Sequence, residues 1–278
     1  MTTWEFCVIL WLGALAAGFL GSLTGLGGGV VLVPLLVALG ADIRYAIGAA
    51  LVSVIATSSG AAAAYVKEGY ANLRLGMFLE VATTLGALSG AVLATSVIPT
   101  SVIAVIFGVV MLVSSYLSLR PRRDTGLAEQ PDTLAARLRL DGTYPTAHGL
   151  QGYHVRHVPA GFGLMYVAGV LSGLLGIGSG ALKVLAMDQA MRVPFKVSTT
   201  TSNFMIGVTA AASAGLYLHR GYIDPGLAMP VMLGVLPGAM LGTLVLARAR
   251  TTRLRLVFAL VLVALAAQMI YNGLTGRA

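Results

Sequence analysis

Charge is scarce in this chain: only 10% of its 278 residues are Asp, Glu, Lys or Arg. A soluble domain carries about a quarter, because its surface must face water. So few charges cannot cover a globule of this size, and the bilayer is expected to solvate most of the surface. Cysteine is nearly absent as well. The single Cys7 excludes an intramolecular disulfide and a cysteine-based metal cluster. The phosphate-cradling motif Gly-x-x-x-x-Gly-Lys-Ser/Thr is missing, which excludes ATP hydrolysis by this chain. There is no His-Glu-x-x-His, no Gly-x-Ser-x-Gly and no intramembrane His and Asp pair, so a membrane enzyme would lack its chemistry. No cofactor and no metal is expected. The N-terminus has neither a basic leader region nor a small-residue cleavage site, and its apolar run reads as a first membrane element.

What the chain has in abundance is apolar. Hydrophobic residues make up 57%, and the mean hydropathy is +0.88. The 35 glycines often recur at small-xxx-small spacing, which lets helices pack closely in lipid. The net charge of +8 could suggest nucleic acid, but Lys and Arg lie in short stretches between apolar runs, the pattern of topology-setting loops. The expected partners are therefore the lipid bilayer and a small solute, with no nucleic acid.

Uncharged runs cover residues 6–41, 45–66, 81–119, 158–182, 197–218, 225–247 and 256–276. A crossing needs about 20 apolar residues. The runs beginning at Tyr45, Val197, Pro225 and Leu256 fit one crossing each. The run at 81–119, extended back to Leu73 across Glu80, holds two, broken at Ile98-Pro99-Thr100-Ser101 because proline cannot continue a helix. The runs at 6–41 and 158–182 are interrupted by Gly25-Leu26-Gly27-Gly28-Gly29 and Gly176-Ile177-Gly178-Ser179-Gly180. Each is either a broken helix crossing once or a hairpin that enters and returns.

An internal repeat decides between them. Gly18, Leu20, Leu23, Gly25, Gly27 and Gly29 recur 151 positions later as Gly169, Leu171, Leu174, Gly176, Gly178 and Gly180. Gly69, Tyr70, Leu75, Met77, Gly86 and Gly90 recur 152 positions later as Gly221, Tyr222, Leu227, Met229, Gly238 and Gly242. Single crossings would make the halves parallel and divide Lys and Arg ten inside to seven outside. Hairpins would invert the halves. Lys67, Arg74, Arg120, Arg122, Arg123, Arg137, Arg139, Arg156, Arg192, Lys196, Arg248, Arg250, Arg253 and Arg255 then lie inside. Only Arg44, Arg220 and Arg277 lie outside, with Lys183 left in the membrane. The positive-inside rule favours the second arrangement.

The expected fold is thus an all-α integral membrane protein, an inverted repeat of two halves. Each half is a glycine-broken helix or re-entrant hairpin plus three transmembrane helices. The first repeat covers 1–120, a cytoplasmic linker 121–157 and the second repeat 158–278, in the cell inner (plasma) membrane. Residues 138–144 alternate and carry an Asp141-Gly142 turn signal, so a small hairpin with 153–156 is expected in an otherwise solvated linker. The linker's His148, His154 and His157 lack the companions of a metal site. A homodimer is an arrangement that membrane proteins of this size often adopt.

The candidate site follows from the glycine turns. A broken helix exposes backbone N–H groups at the start of its second part, where the helix dipole adds positive charge. Two such turns related by inversion would aim positive ends at one midplane site, with Gly25, Gly27, Gly28, Gly29, Gly176, Gly178, Ser179 and Gly180 lining it. Lys183 follows the second turn at membrane depth, where an ionisable side chain marks a functional site. A lysine beside a positive helix end calls for an anion, although Asp188 could pair with it or the chain could snorkel. Ser53 and Thr57 on the first repeat, and Thr200 and Asn203 on the second, could complete an oxyanion site, or could bond their own helices. Glu80 could relay a proton or lie near the inner interface.

The run 173–184, Gly-Leu-Leu-Gly-Ile-Gly-Ser-Gly-Ala-Leu-Lys-Val, resembles the second-half signature of the sulfite exporter TauE/SafE family. Met191-Arg192-Val193-Pro194-Phe195-Lys196 and Thr201-Ser202-Asn203-Phe204-Met205-Ile206-Gly207 are similar to it too, as are Gly25 to Gly29 and residues 138–144. The chain departs from that pattern at Ser179, where glycine is common, and at Leu185, where proline is. The resemblance implies a membrane transporter, a probable exporter of sulfite, sulfoacetate or another organosulfonate. A passive anion channel of the same fold, or a carrier of another small inorganic or carboxylate anion, is the alternative.

Overall fold

The structure is a computed structural model, and it describes residues 3–24, 28–67, 71–119, 132–146, 149–246 and 251–276. Among these, the first half holds α1 (Thr3–Thr24), α2 (Gly29–Ala38), α3 (Ile43–Lys67), α4 (Leu73–Val92) and α5 (Thr100–Leu119). The second holds α7 (Val158–Leu175), α8 (Gly180–Leu185), α9 (Phe195–His219), α10 (Pro225–Leu246) and α11 (Thr251–Thr275). Between them lie the short α6 (Thr133–Leu138) and the strands β1 (Gly142–Thr146) and β2 (Gly149–Tyr153). Four helices are long and apolar enough to cross a membrane: those over Leu73–Val97, Thr100–Leu117, Val158–Leu175 and Pro225–Gly242. This is an all-α multi-pass membrane architecture. Both α4 and α8 end in a wider π turn, Leu93–Val97 and Ala186–Ala190. The break anticipated at Pro99 is present: α4 and its π turn stop at Val97 and α5 opens at Thr100, with the Pro99 carbonyl accepting from the N–H groups of Val102 and Ile103.

Both interrupted elements are hairpins. Gly13 of α1 lies against Leu35 of α2, while Gly28 lies against Ala17 and Gly18, so the two helices run antiparallel. In the second half the Ser179 hydroxyl donates to the Ala168 carbonyl at 2.7 Å. At the other end Arg156 N–H donates to the Met191 carbonyl at 3.0 Å, so the chain returns to the level it left.

Packing between halves follows a regular exchange. Helix α4 packs along α7 and α1 along α10, while α3 packs along α9 and α5 along α11. The α4–α7 seam is built from Gly86, Gly90, Gly169 and Gly173, each facing backbone of the other helix so closely that any Cβ would overlap it. Small residues are how helices gain contact in lipid, where apolar burial supplies no drive. The contacts also give directions. Ser115 donates to the Ala259 carbonyl at 3.2 Å, Gly108 faces Ala266 and Ile270, and Gly273 faces Ser101 and Val105. Helices α5 and α11 are therefore antiparallel. So are α3 and α9: Gly207 faces Ser58, while Gly48 lies against Tyr222 just beyond the end of α9.

The linker differs from its expected form in two ways. The hairpin forms, but its register is Gly142 opposite Tyr153 and Thr146 opposite Gly149, so Asp141-Gly142 lies at the open end, away from the turn it was expected to make. Asp141 is diverted from a turn because its carboxylate accepts the Val155 N–H at 2.8 Å and contacts His154 Nδ1 at 3.1 Å. Nor is this part of the linker merely solvated: Ala135, Leu140, Tyr153 and Val155 are buried in one cluster with Leu75 and Leu79 of α4. His148 lies outside the described residues, and no group of metal-ligating side chains occurs among the described ones.

Candidate functional site

The two glycine turns meet. A Cβ on Gly29, the first residue of α2, would lie 2.8 Å from the Gly176 carbonyl oxygen, with Ala50 and Val54 of α3 behind it. Gly176 and Gly178, on either side of Ile177, adopt φ of 69° and 68°, and Ser179 follows at 44°, left-handed values that glycine enters without strain. Ser179 is held there by its bond to the Ala168 carbonyl. The turn is seated against Ile47 and Val54 of α3 and Ile206 of α9, and Ser202 donates to the Gly180 carbonyl at 3.3 Å. Gly28 caps α2 through its carbonyl, which accepts from Val31 and Leu32 N–H. Gly25 and Gly27 lie outside the described residues.

Lys183 is the centre of the site. Its side chain is 0% exposed, and its ammonium donates to Thr209 Oγ1 of α9 at 2.6 Å. Thr209 stands 2.7 Å from Glu80 Oε1 of α4 and 2.8 Å from the Met205 carbonyl. A hydroxyl has one proton, and with Lys183 donating to its oxygen that proton serves Glu80 or Met205. Glu80 is 8% exposed, and its Oε1 also accepts from Thr84 at 3.1 Å. Its Oε2 is buried and meets no hydrogen-bond donor among the described residues. An ammonium and a carboxylate from different halves are thus joined through one hydroxyl. Glu80 is the charged partner that Lys183 meets here, and full burial rules out snorkelling.

The flanking hydroxyls are aimed elsewhere. Ser53 donates to the Ala50 carbonyl at 2.7 Å, Thr57 to Ser53 and Val54, and Thr200 to Lys196 at 2.9 Å and Val197. Each hydroxyl proton is committed to its own helix, leaving only lone pairs, which an anion does not seek. Asn203 is partly buried on α9 one turn before Gly207. Thr209 was not among the residues anticipated. Its signal is the spacing of Ser198, Ser202, Thr209 and Ser213, a buried polar stripe at helical period on α9.

Comparison with known proteins agrees with a transporter. Over 278 residues the chain is 27% identical to the "Probable membrane transporter protein YunE" of Bacillus subtilis, covering 97% of this chain and 99% of that one. It is 27% identical over 276 residues to a "Probable membrane transporter protein" of Xylella fastidiosa, covering 98% and 97%. A second Bacillus subtilis protein, "Probable membrane transporter protein YdhB", is 27% identical over 236 residues, 84% of this chain and 86% of the other. No solved structure is a significant match. The family model described as Sulfite exporter TauE/SafE matches residues 10–269, and the chain belongs to that family of membrane transporters.

Proposed function

We propose that the chain is a secondary transporter for a small anion such as sulfite, sulfoacetate or another organosulfonate, and that it has no enzymatic activity. The anion binds between the Gly28–Gly29 and Gly176–Gly180 turns and the Lys183 ammonium. The repeats, 1–120 and 158–278, are inverted copies in the plasma membrane, with the 121–157 linker on the cytoplasmic side. Support for inversion comes from the antiparallel packing of corresponding helices, α3 with α9 and α5 with α11. Two hairpins that meet tip to tip bring backbone N–H groups from both repeats to one place, and broken backbone at membrane depth is tolerated where it lines a protein cavity.

The observation that carries this reading is Lys183, a cation with no exposed surface, one turn beyond a glycine turn. A buried ammonium is costly unless an opposite charge compensates it. Glu80 supplies one, and an anion entering from the turns competes for it. Alternating access then follows from movement of one set of helices against the other about this point. The test is uptake of radiolabelled sulfite and sulfoacetate by proteoliposomes carrying the parent or Lys183→Ala. Saturable uptake lost in a folded variant is expected. Equal uptake in both removes Lys183 from the binding site.

A further inference from the structure

We propose that Glu80 is a proton-binding site that couples anion passage to proton movement, because it and the anion contend for the one Lys183 charge across Thr209. The inference rests on the anion-carrier reading above and names its coupling ion. In the structure the pair is electrically balanced: the Lys183 ammonium donates to Thr209, and Thr209 stands within hydrogen-bond reach of Glu80 Oε1. An anion added beside Lys183 brings a surplus negative charge into a buried site, next to a carboxylate. Like charges in a low-dielectric interior repel far more strongly than in water. A proton on Glu80 removes that surplus.

Glu80 Oε2 is where the proton fits. It is buried, while Oε1 already has Thr209 and Thr84. Protonated at Oε2, the carboxyl leaves Oε1 able to accept from Thr84 and Thr209 and gains an O–H able to donate to the anion. The same group is repulsive when charged and a donor when neutral. The proton comes from the aqueous phase on the side of entry and leaves to water on the other side, and no bond to the anion is made or broken.

Other titratable groups on the elements around Glu80 are placed differently. On α7 the Tyr166 hydroxyl donates to Ser89, more than two turns along α4. On α9 Tyr217 donates to the Gly173 carbonyl, and Lys196 and His219 lie at the two ends of that helix. Asp188 belongs to the π turn after α8, and Arg74 lies at the start of α4, where it donates to the Arg139 carbonyl. The charged group acting on Glu80 is Lys183.

Linkage makes the effect reciprocal: anion binding promotes protonation, and protonation promotes anion binding. Anion and proton therefore cross together, and net direction follows their combined gradients. Export requires a cytoplasmic anion excess larger than the opposing proton gradient.

The test uses the full chain in proteoliposomes, with the potential clamped by potassium and an ionophore. The probe is radiolabelled sulfoacetate, whose own charge is constant near neutral pH. With the outside one pH unit more acidic, the parent should accumulate probe about tenfold, the limit for one proton per anion. An entrapped pH dye should report acidification that tracks probe entry. In Glu80→Gln the ratio of gradient-driven to gradient-free accumulation should fall to about one. Parent exchange flux without gradient-driven accumulation, or probe entry without proton entry, overturns the coupling and leaves the carrier standing. A Glu80→Gln variant that still accumulates probe with the gradient overturns it as well. Absence of exchange of sulfite, sulfoacetate or methanesulfonate in the parent overturns the carrier reading and the coupling with it. The dye measurement needs the parent alone, so an unfolded variant does not remove the test.

Discussion

Thr209 joins two charges that neither repeat could bury by itself. Its oxygen receives the Lys183 ammonium and its proton has Glu80 within reach, so the hydroxyl must both accept and donate. Thr209→Val keeps the shape and removes both bonds. Leaving buried polar partners unsatisfied costs about 1–3 kcal/mol, more where they are charged. The variant should melt lower in detergent and lose anion uptake, while Thr209→Ser should retain most of both. The charges themselves are expected to be strongly coupled. Lys183→Ala strands a buried carboxylate, a loss of about 3–5 kcal/mol. Adding Glu80→Gln removes the stranded charge, so the double variant should be more stable than Lys183→Ala alone, as thermal melting of the four proteins in the cycle would show. Additive losses would mean that the two side chains do not share their charge. At this scale the sequence shows Lys183 readily, because a lysine inside an apolar run is rare and expensive. Its partners are hidden there, since Glu80 and Thr209 lie 129 positions apart and meet only through packing. The serines and threonines that looked available, Ser53, Thr57 and Thr200, are drawn to carbonyls of their own helices, which are always within reach.

Elements are tied together by few polar contacts, and Asn72 makes several of them. Its side-chain oxygen accepts the Leu75 N–H at 3.0 Å and caps α4, while its amide nitrogen donates to the Leu140 carbonyl at 2.9 Å and the Tyr153 hydroxyl at 2.7 Å. Its backbone N–H donates to Thr201 of α9 at 3.1 Å. One residue thus joins the start of α4, the linker and the second repeat. Two substitutions separate these duties. Asn72→Asp keeps the cap and replaces the amide donor, so it should release the linker with little change in α4. Asn72→Ala also loses the cap, which adds about 1 kcal/mol. Limited proteolysis within 132–157 should speed up in both variants, whereas the melting temperature should fall further in Asn72→Ala. A linker equally resistant in parent and variants would show that the apolar cluster of Leu140, Tyr153 and Val155 holds it unaided. The stop at Pro99 was legible in the sequence because proline acts on its own neighbours. The role of Asp141 was not: Asp-Gly reads locally as a turn, and it takes the distant Val155 N–H to commit the carboxylate elsewhere.

Across the whole molecule the decisive feature is that both interrupted elements return to the side they entered. Three full crossings in each half, the arrangement proposed above, place α10's first residue on the opposite side from the linker. The glycine recurrences fix which elements correspond but not their direction. Direction comes first from the charges in the loops and then from contacts such as Ser115 with Ala259 and Gly273 with Ser101, which only antiparallel helices can make together. Accessibility can decide the matter in cells. Cys7 is the chain's one thiol, so Cys7→Ser gives a silent background. Single cysteines at Thr143, Arg192 and Asp224, all exposed, then report three loops. Inverted halves require Asp224→Cys to react with a membrane-impermeant maleimide in intact cells, and Thr143→Cys and Arg192→Cys to react only after the membrane is opened. Parallel halves require the reverse grouping, with positions 143 and 224 on one side and 192 on the other. The second grouping would separate the two glycine turns into unlike orientations, and a shared site between them would no longer have two positive helix ends. The first leaves Lys183 and Glu80 joined across the two halves through Thr209, a contact that a movement of one half against the other must alter.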